Sequence, residues 1–276
     1  MFVPFKIKKS TIDATYLLRR CDFDTRSMIS EVKSRINVNR IKEALINGTQ
    51  LQEEWFPSEF YDSCFDVFIS HAHADDSAVR QLAGYLQEKY GLRCFIDSVY
   101  WGYVGDLQKS LDDWYSKCVT NGFEYYDYET SNFMASNVHI MLSMALLKMM
   151  DACECLIFVD SDNSLKYQSG QPQTPSPWIY EEMGFAKRLR VNIPDRYKNN
   201  IRVSINESRD SSFIGLVCFS AIQPHQANFR YNINLRDFKE LDLQDFCISR
   251  KQRKDVLDEW YRKYGVYDSI AQRLIE

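Results

Sequence analysis

One carboxylate stands out by its position among apolar neighbours. In the segment Ser176-Pro177-Trp178-Ile179-Tyr180-Glu181-Glu182-Met183-Gly184-Phe185-Ala186-Lys187-Arg188-Leu189, Ser176 suits an N-cap and Pro177 a first helical turn, so a helix is expected to begin there. At the helical advance of about 100° per residue, Trp178, Ile179, Met183, Phe185, Ala186 and Leu189 form one apolar arc, with Glu182 near its middle and Glu181 on its edge. A carboxylate centred on a buried face is costly unless it is paired, hydrogen-bonded or set at a cleft where ligand replaces core. Two readings stay open on the pattern alone. Glu182 bridges an Arg or lies at the domain rim, or it meets a ligand.

A second constellation is His71-x-His73-x-Asp75-Asp76, directly after a β-prone run. The H-x-H spacing matches the ligand pairs of metal-dependent hydrolases. The metallo-β-lactamase type needs His where this chain has Asp76, and both hydrolase types need further ligands. Besides these two, the four histidines include only His139, inside an apolar helical pattern, and His225, in an unordered region. A metal site built on His71 and His73 is therefore the weaker alternative.

These residues need a scaffold. Residues 64–70, mostly apolar and β-prone, are expected to form a central strand. Asp75 or Asp76 can cap the helix that follows, in which Val79, Leu82, Leu86 and Tyr90 recur at helical spacing and which Gly91 stops. A second strand spans 92–96 and ends at Asp97. A loop with Trp101, Gly102 and Gly105 leads to a helix over 106–118. Residues 119–137 read as an aromatic, polar insertion, followed by a helix over 138–152 and a third strand over 155–159. Such alternation implies a parallel sheet with helices on both faces.

The flanks are less ordered. Residues 28–36 and 39–46 are helical patterns within a helical N-terminal arm, 1–60. After Arg190, segments 201–205, 213–222 and 229–235 have strand character. Residues 251–264 form an amphipathic helix with Val256 and Trp260 on one face, stopped by Gly265, and a short helix carries Ile270 and Leu274. The expected division is an N-terminal arm at 1–60, a main α/β domain at 61–245 with the insertion at 119–137, and a C-terminal helical segment at 246–276.

Composition excludes several classes. Of 276 residues, 45% are apolar and 26% charged, the balance of a globular protein. Lys plus Arg number 34 against 38 for Asp plus Glu, with no long basic run, so no nucleic-acid footprint is indicated. The eight cysteines are scattered, with no CxxC, as expected of reduced thiols in a cytoplasm. The sequence MFVPFKIKKS lacks a signal-peptide pattern, and the longest apolar run, 140–150, falls short of a membrane span. The expected location is cytoplasmic, with no membrane partner.

Three short motifs resemble the signatures of TIR (Toll/interleukin-1 receptor) domains, in that family's order. Asp66-Val67-Phe68-Ile69-Ser70 is similar to the first box, Phe95-Ile96-Asp97 to the end of the second strand, and Ser176-x-Trp178-x-x-x-Glu182 to the third signature. The strand ending at Val159, with Ser161 just after it, also fits. Together they cover a little under half of the chain. The resemblance implies a flavodoxin-like α/β fold with a central parallel sheet, here with a helical N-terminal arm and an α/β C-terminal extension.

It further implies an enzyme that cleaves the nicotinamide–ribose bond of NAD, with NAD as substrate and neither cofactor nor metal required. Glu182 takes the place of the catalytic Glu. The pocket positions carried over are His71, Ala72, His73, Asp97, Ser98, Trp101, Ser161 and Trp178. For Trp101 packing on its own domain is the alternative, and for Asp97 a strand-end cap. Water as acceptor gives ADP-ribose, and an internal nucleophile gives a cyclic isomer. Self-association through the TIR domain is implied as well. A TIR enzyme without a fused sensor resembles the signal-producing component of Thoeris-type anti-phage systems, whose product acts on a separate effector. The rival within the family is a TIR domain that only binds other TIR domains, a role in which nothing requires Glu182.

Overall fold

Alternating apolar residues open the chain. Val3, Phe5 and Ile7 are buried, while Pro4 and Lys6 are half-buried and Lys8 is exposed, the two-residue period of a strand. The computed structural model describes residues 3–15, 18, 21, 65–189, 191–198, 230–242, 245–246 and 254–266. The expected elements at 28–36, 39–46, 201–205, 213–222 and around Ile270 and Leu274, together with His225, lie outside these residues.

Val3–Lys8 forms β1 and runs into a short helix, α1 (Lys9–Ala14). Then come β2 (Val67–Ser70), a 3-10 turn at His73–Asp75, α2 (Asp76–Tyr90) and β3 (Cys94–Ile96). Next are α3 (Asp97–Tyr115), the hairpin β4 (Lys117–Thr120) and β5 (Phe123–Tyr126), α4 (Tyr128–Ala152) and β6 (Cys155–Asp160). A second hairpin, β7 (Lys166–Gln168) and β8 (Gln171–Thr174), precedes α5 (Pro177–Arg188) and α6 (Asp195–Lys198). The described chain ends with β9 (Tyr231–Asn232), β10 (Lys239–Glu240) and α7 (Lys254–Lys263).

Five strands make a parallel sheet in the order β10-β1-β6-β2-β3. Every residue of β2 and β3, and the first five of β6, are buried, so both faces of these central strands are covered. The parallel α/β architecture expected from the alternation is thus present. α1 packs beside α2, and α3, α4 and α5 pack in succession.

Four expectations need correction. Residues 1–60 do not begin as a helical arm: Val3–Lys8 pairs along its whole length with β6, from Val3↔Cys155 to Lys8↔Asp160. Pro4 is tolerated because β10 reaches only Phe5 and Lys6 on the other side. Nor does the described part of 246–276 stand apart, since the Phe5 ring lies 5.8, 6.1 and 5.9 Å from those of Trp260, Tyr261 and Tyr264. Buried Val256 and Trp260 are the expected inner face of α7. Trp101 and Gly102 belong to helix, not loop, because α3 starts directly at Asp97.

The fourth correction concerns 119–137, which divides between the β4–β5 hairpin and the first turns of α4. Asn121 (φ 52°) and Gly122 (φ 81°) supply the left-handed pair that a two-residue hairpin turn needs. By length and composition α4, with 25 residues and a mean hydropathy of 1.3 over its most apolar 18, is the one described helix long and apolar enough to cross a membrane. Its Val138, Leu142, Ala145, Leu146, Met149 and Met150 are instead buried in the core. Residues 229–235 contribute β9, which extends the β7–β8 hairpin rather than the main sheet.

At the amino ends of the strands, Arg196 bridges Glu154 and Asp258 and ties α6 and α7 to the start of β6. Tyr85 and Tyr90 each donate to the Phe246 carbonyl at 2.5 Å, fastening the C-terminal segment to α2.

Candidate active site at the carboxyl ends of β2 and β6

From β2 the chain moves to β3 on one side, and from β6 the next strand of the sheet is β10 on the other. The carboxyl ends of β2 and β6 therefore flank a topological switch point, where open α/β sheets bind ligands. The two loops are laced together there. Buried Asp75 accepts from Ser161 Oγ, and its Oδ1 accepts from Asn163 Nδ2 at 2.7 Å. Ser164 Oγ donates to the Val159 carbonyl at 2.9 Å and accepts from the Ser161 amide at 2.9 Å. Asp75 stands at the N-cap of α2 but makes no cap hydrogen bond, because its carboxylate is turned to the β6 loop.

Glu182 reaches this point from α5. Ser176 caps the helix by accepting from the Ile179 amide, and Pro177 occupies its first turn. The resulting register buries Ile179, Glu182 and Met183. Glu182 is 0% exposed. Its Oε2 accepts from Ser70 Oγ, at the end of β2, at 2.5 Å, while Oε1 is buried and receives no hydrogen bond from the described residues. Burial, and next the facing Asp97 carboxyl, push the Glu182 carboxyl well above its ordinary range; Ser70 acts in the opposite direction.

Asp97 is the first residue of α3 and is buried. His71 Nδ1 lies 2.7 Å from its Oδ1, with side chains 0% and 4% exposed. Among the described residues neither ring nitrogen of His71 has a well-aligned hydrogen-bond partner. Burial alone disfavours the imidazolium, but Asp97 and, farther off, Asp76 outweigh it, so the His71 value is raised. Ser98 donates its amide to Asp97 Oδ1 at 2.7 Å and its hydroxyl to Asp76 at 2.9 Å. Arg80 Nε approaches the same Asp76 carboxylate at 2.5 Å. Burial works against the Asp76 anion, yet the bonds from Arg80 and Ser98 prevail and lower its value.

The structure thus gathers Glu182, Asp97, His71 and Ser98 into one cluster and sets Ser161 in the adjoining loop clasp. Ala72 is half-buried and His73 is exposed. His71 and His73 part ways, and among the described residues no group of three or more His, Cys, Asp or Glu is arranged to hold a metal ion. Trp101 falls in α3, with its side chain outside the described ones. Half-buried Trp178 packs against His139 of α4, ring centroids 4.5 Å apart and planes tilted by 40°. Glu181, raised by burial, faces Ser143 and His139 rather than the cluster.

Ser70 and Arg80 are not site candidates in the sequence, where Asp76 figures only in the His71-x-His73-x-Asp75-Asp76 alternative and as a helix cap. Asp76 and Arg80 carry a legible signal, an acid and a base one helical turn apart at the start of a helix. Ser70 and Asn163 carry none, because their roles depend on which strand lies beside which. Comparison with protein-family models, with curated proteins and with solved structures finds no match for this chain.

Proposed function

We propose that the chain is a TIR-domain enzyme of flavodoxin-like architecture that cleaves the nicotinamide–ribose bond of NAD, with Glu182 as its catalytic carboxylate. One observation carries this reading: a wholly buried carboxylate at the switch point, one oxygen fixed by Ser70 and the other without a donor. Glu181 Oε2 is also without a partner among the described residues, and what sets Glu182 apart is its complete burial at the carboxyl ends of β2 and β6, where a carboxylate is costly unless a ligand meets it. The open valence suits a ribose hydroxyl of the nicotinamide side.

The chemistry follows from charge. When the C–N bond breaks, its electron pair neutralises the pyridinium nitrogen, and nicotinamide leaves as a neutral molecule. The ribose becomes an oxocarbenium-like cation, which an ionised Glu182 stabilises in a dry site. Water then gives ADP-ribose, and an internal nucleophile gives a cyclic isomer. Asp97 and His71 set the charge around Glu182, and the Asp75–Ser161–Asn163 clasp holds the two loops at the mouth.

Complete burial of Glu182 implies that turnover requires a local opening. Self-association through the TIR domain is the proposed means, and specific activity should then rise with protein concentration. In a cytoplasmic anti-phage setting the product would act on a separate effector. A Glu182→Ala chain that still protects cells from phage would remove that role.

The deciding experiment incubates purified protein with NAD at high concentration and follows nicotinamide and ADP-ribose products by chromatography. Wild type and Glu181→Ala should release nicotinamide, and Glu182→Ala should not. Equal release by all three removes Glu182 from the chemistry, and release by none argues instead for a domain that only binds other copies.

A further inference from the structure

Every residue of β5 is exposed, and in β4 only Cys118 is half-buried, so the hairpin turns no apolar face to the core. Val119, Phe123, Tyr125 and Tyr126 stand on it, and the first turns of α4 add Tyr128 and Phe133, all from 49% to 77% exposed. A two-stranded hairpin by itself is marginal in water, and a contiguous apolar patch marks a contact surface. Taking about 200 Å² for each ring, the five aromatic side chains expose about 600 Å² per chain. With Val119 and the strand backbone added, that approaches the roughly 800 Å² each partner gives to a stable interface.

Charge and backbone both select the occupant. The only charged residues of 117–126 are Lys117 and Glu124, and they hold each other at 2.8 Å across the hairpin. An acidic or basic partner, or an anionic lipid surface, meets no complementary charge here, while a second neutral hairpin meets no repulsion. The turn, Thr120-Asn121-Gly122, is polar and offers no apolar tip to a bilayer. β4 lies beside α3, which leaves the outer edge of β5 as the one turned away from the helices. In an antiparallel hairpin hydrogen-bonded pairs alternate with non-bonded ones. With Thr120 and Phe123 closing the two-residue turn, the alternation directs the backbone groups of Phe123 and Tyr125 toward β4 and those of Glu124 and Tyr126 outward.

We infer that β5 pairs antiparallel with β5 of a second copy about a two-fold axis at Tyr125, joining two hairpins into a four-stranded sheet. In a two-fold antiparallel pair one residue meets its own copy at the centre. A centre at Glu124 would set two carboxylates opposite each other, which is destabilising. A centre at Tyr125 sets ring against ring as a non-bonded pair and lets Glu124 and Tyr126 of each copy exchange the flanking hydrogen bonds. The inference does not depend on NAD cleavage, because it is read by size.

The test follows the molar mass of the full chain by sedimentation equilibrium over a range of concentrations. Wild type should pass from one chain to two with a dissociation constant of about a micromolar. Tyr125→Lys and Tyr125→Glu each place like charges at the centre and should each weaken the pair at least about tenfold. Their equimolar mixture should return to within about threefold of wild type, since Lys then faces Glu, and this recovery also shows that both variants are folded. Tyr167→Lys, at an exposed tyrosine of β7, should pair as wild type does. A wild-type chain that stays single at every concentration overturns the inference. So does a Tyr125→Lys chain that pairs normally, a mixture that stays monomeric, or an equal loss in Tyr167→Lys. A single chain that floats with phosphatidylcholine vesicles assigns the aromatic surface to lipid and overturns the pairing as well.

Discussion

A carboxyl group cut off from water and held by a single donor keeps its proton to higher pH than it would in an unfolded chain, and Glu182 is such a group. Its folded-state value is raised, so the folded chain binds more protons than the unfolded one as pH rises above the ordinary Glu value, and its contribution to stability falls there. Glu182→Gln should therefore melt at least about 3 °C higher than wild type at pH 8 by calorimetry, while nicotinamide release is lost. Ser70→Ala removes the one donor to Glu182. It should cost about 1–2 kcal/mol in urea unfolding, and it should move the acidic limb of the rate profile to higher pH, because Ser70 favours the anion. His71 behaves in the mirror sense: its raised value lends stability at low pH that is lost as pH climbs through that value.

Elements were legible where one physical signal dominated. β2, β3 and β6 announced themselves as apolar runs, and α5 was announced by Ser176, Pro177 and a periodic arc, so Glu182 could be placed on a buried face before any geometry was known. The start of α3 was hidden because Gly102 and Gly105 imitate a loop, while packing of this helix against α4 overrides their low propensity. The β4–β5 hairpin is marked in the sequence by Asn121-Gly122 between β-prone residues. That hairpin carries exposed Val119, Phe123, Tyr125 and Tyr126 and takes no part in the core. Replacing residues 117–126 with a short polar linker should leave the melting temperature within about 2 °C of wild type. If the hairpin mediates self-association, sedimentation should show fewer oligomers at the same concentration.

At the scale of the whole molecule, one core cluster of the described residues runs from Val3 to Val266, across the expected bounds of arm, domain and tail. No pattern in Val3–Lys8 told that it would sit between β6 and β10, since strand order is decided by partners far away in sequence. A fragment beginning at residue 61 should fail to fold, read as loss of the cooperative melting transition, because β6 would lose its partner on one side. Phe5→Ala should cost about 3–5 kcal/mol by urea denaturation, leaving Trp260, Tyr261 and Tyr264 around a cavity. The same arrangement bears on how the chain is made. β1 must wait for β6, more than a hundred and forty residues later, and then for β10 and α7, later still. Until then Ser70 and Glu182 have no closed sheet to hold them together. A half-made chain should be both inert and prone to aggregate, and the finished one should mature slowly, at a pace set by its longest-range pairing.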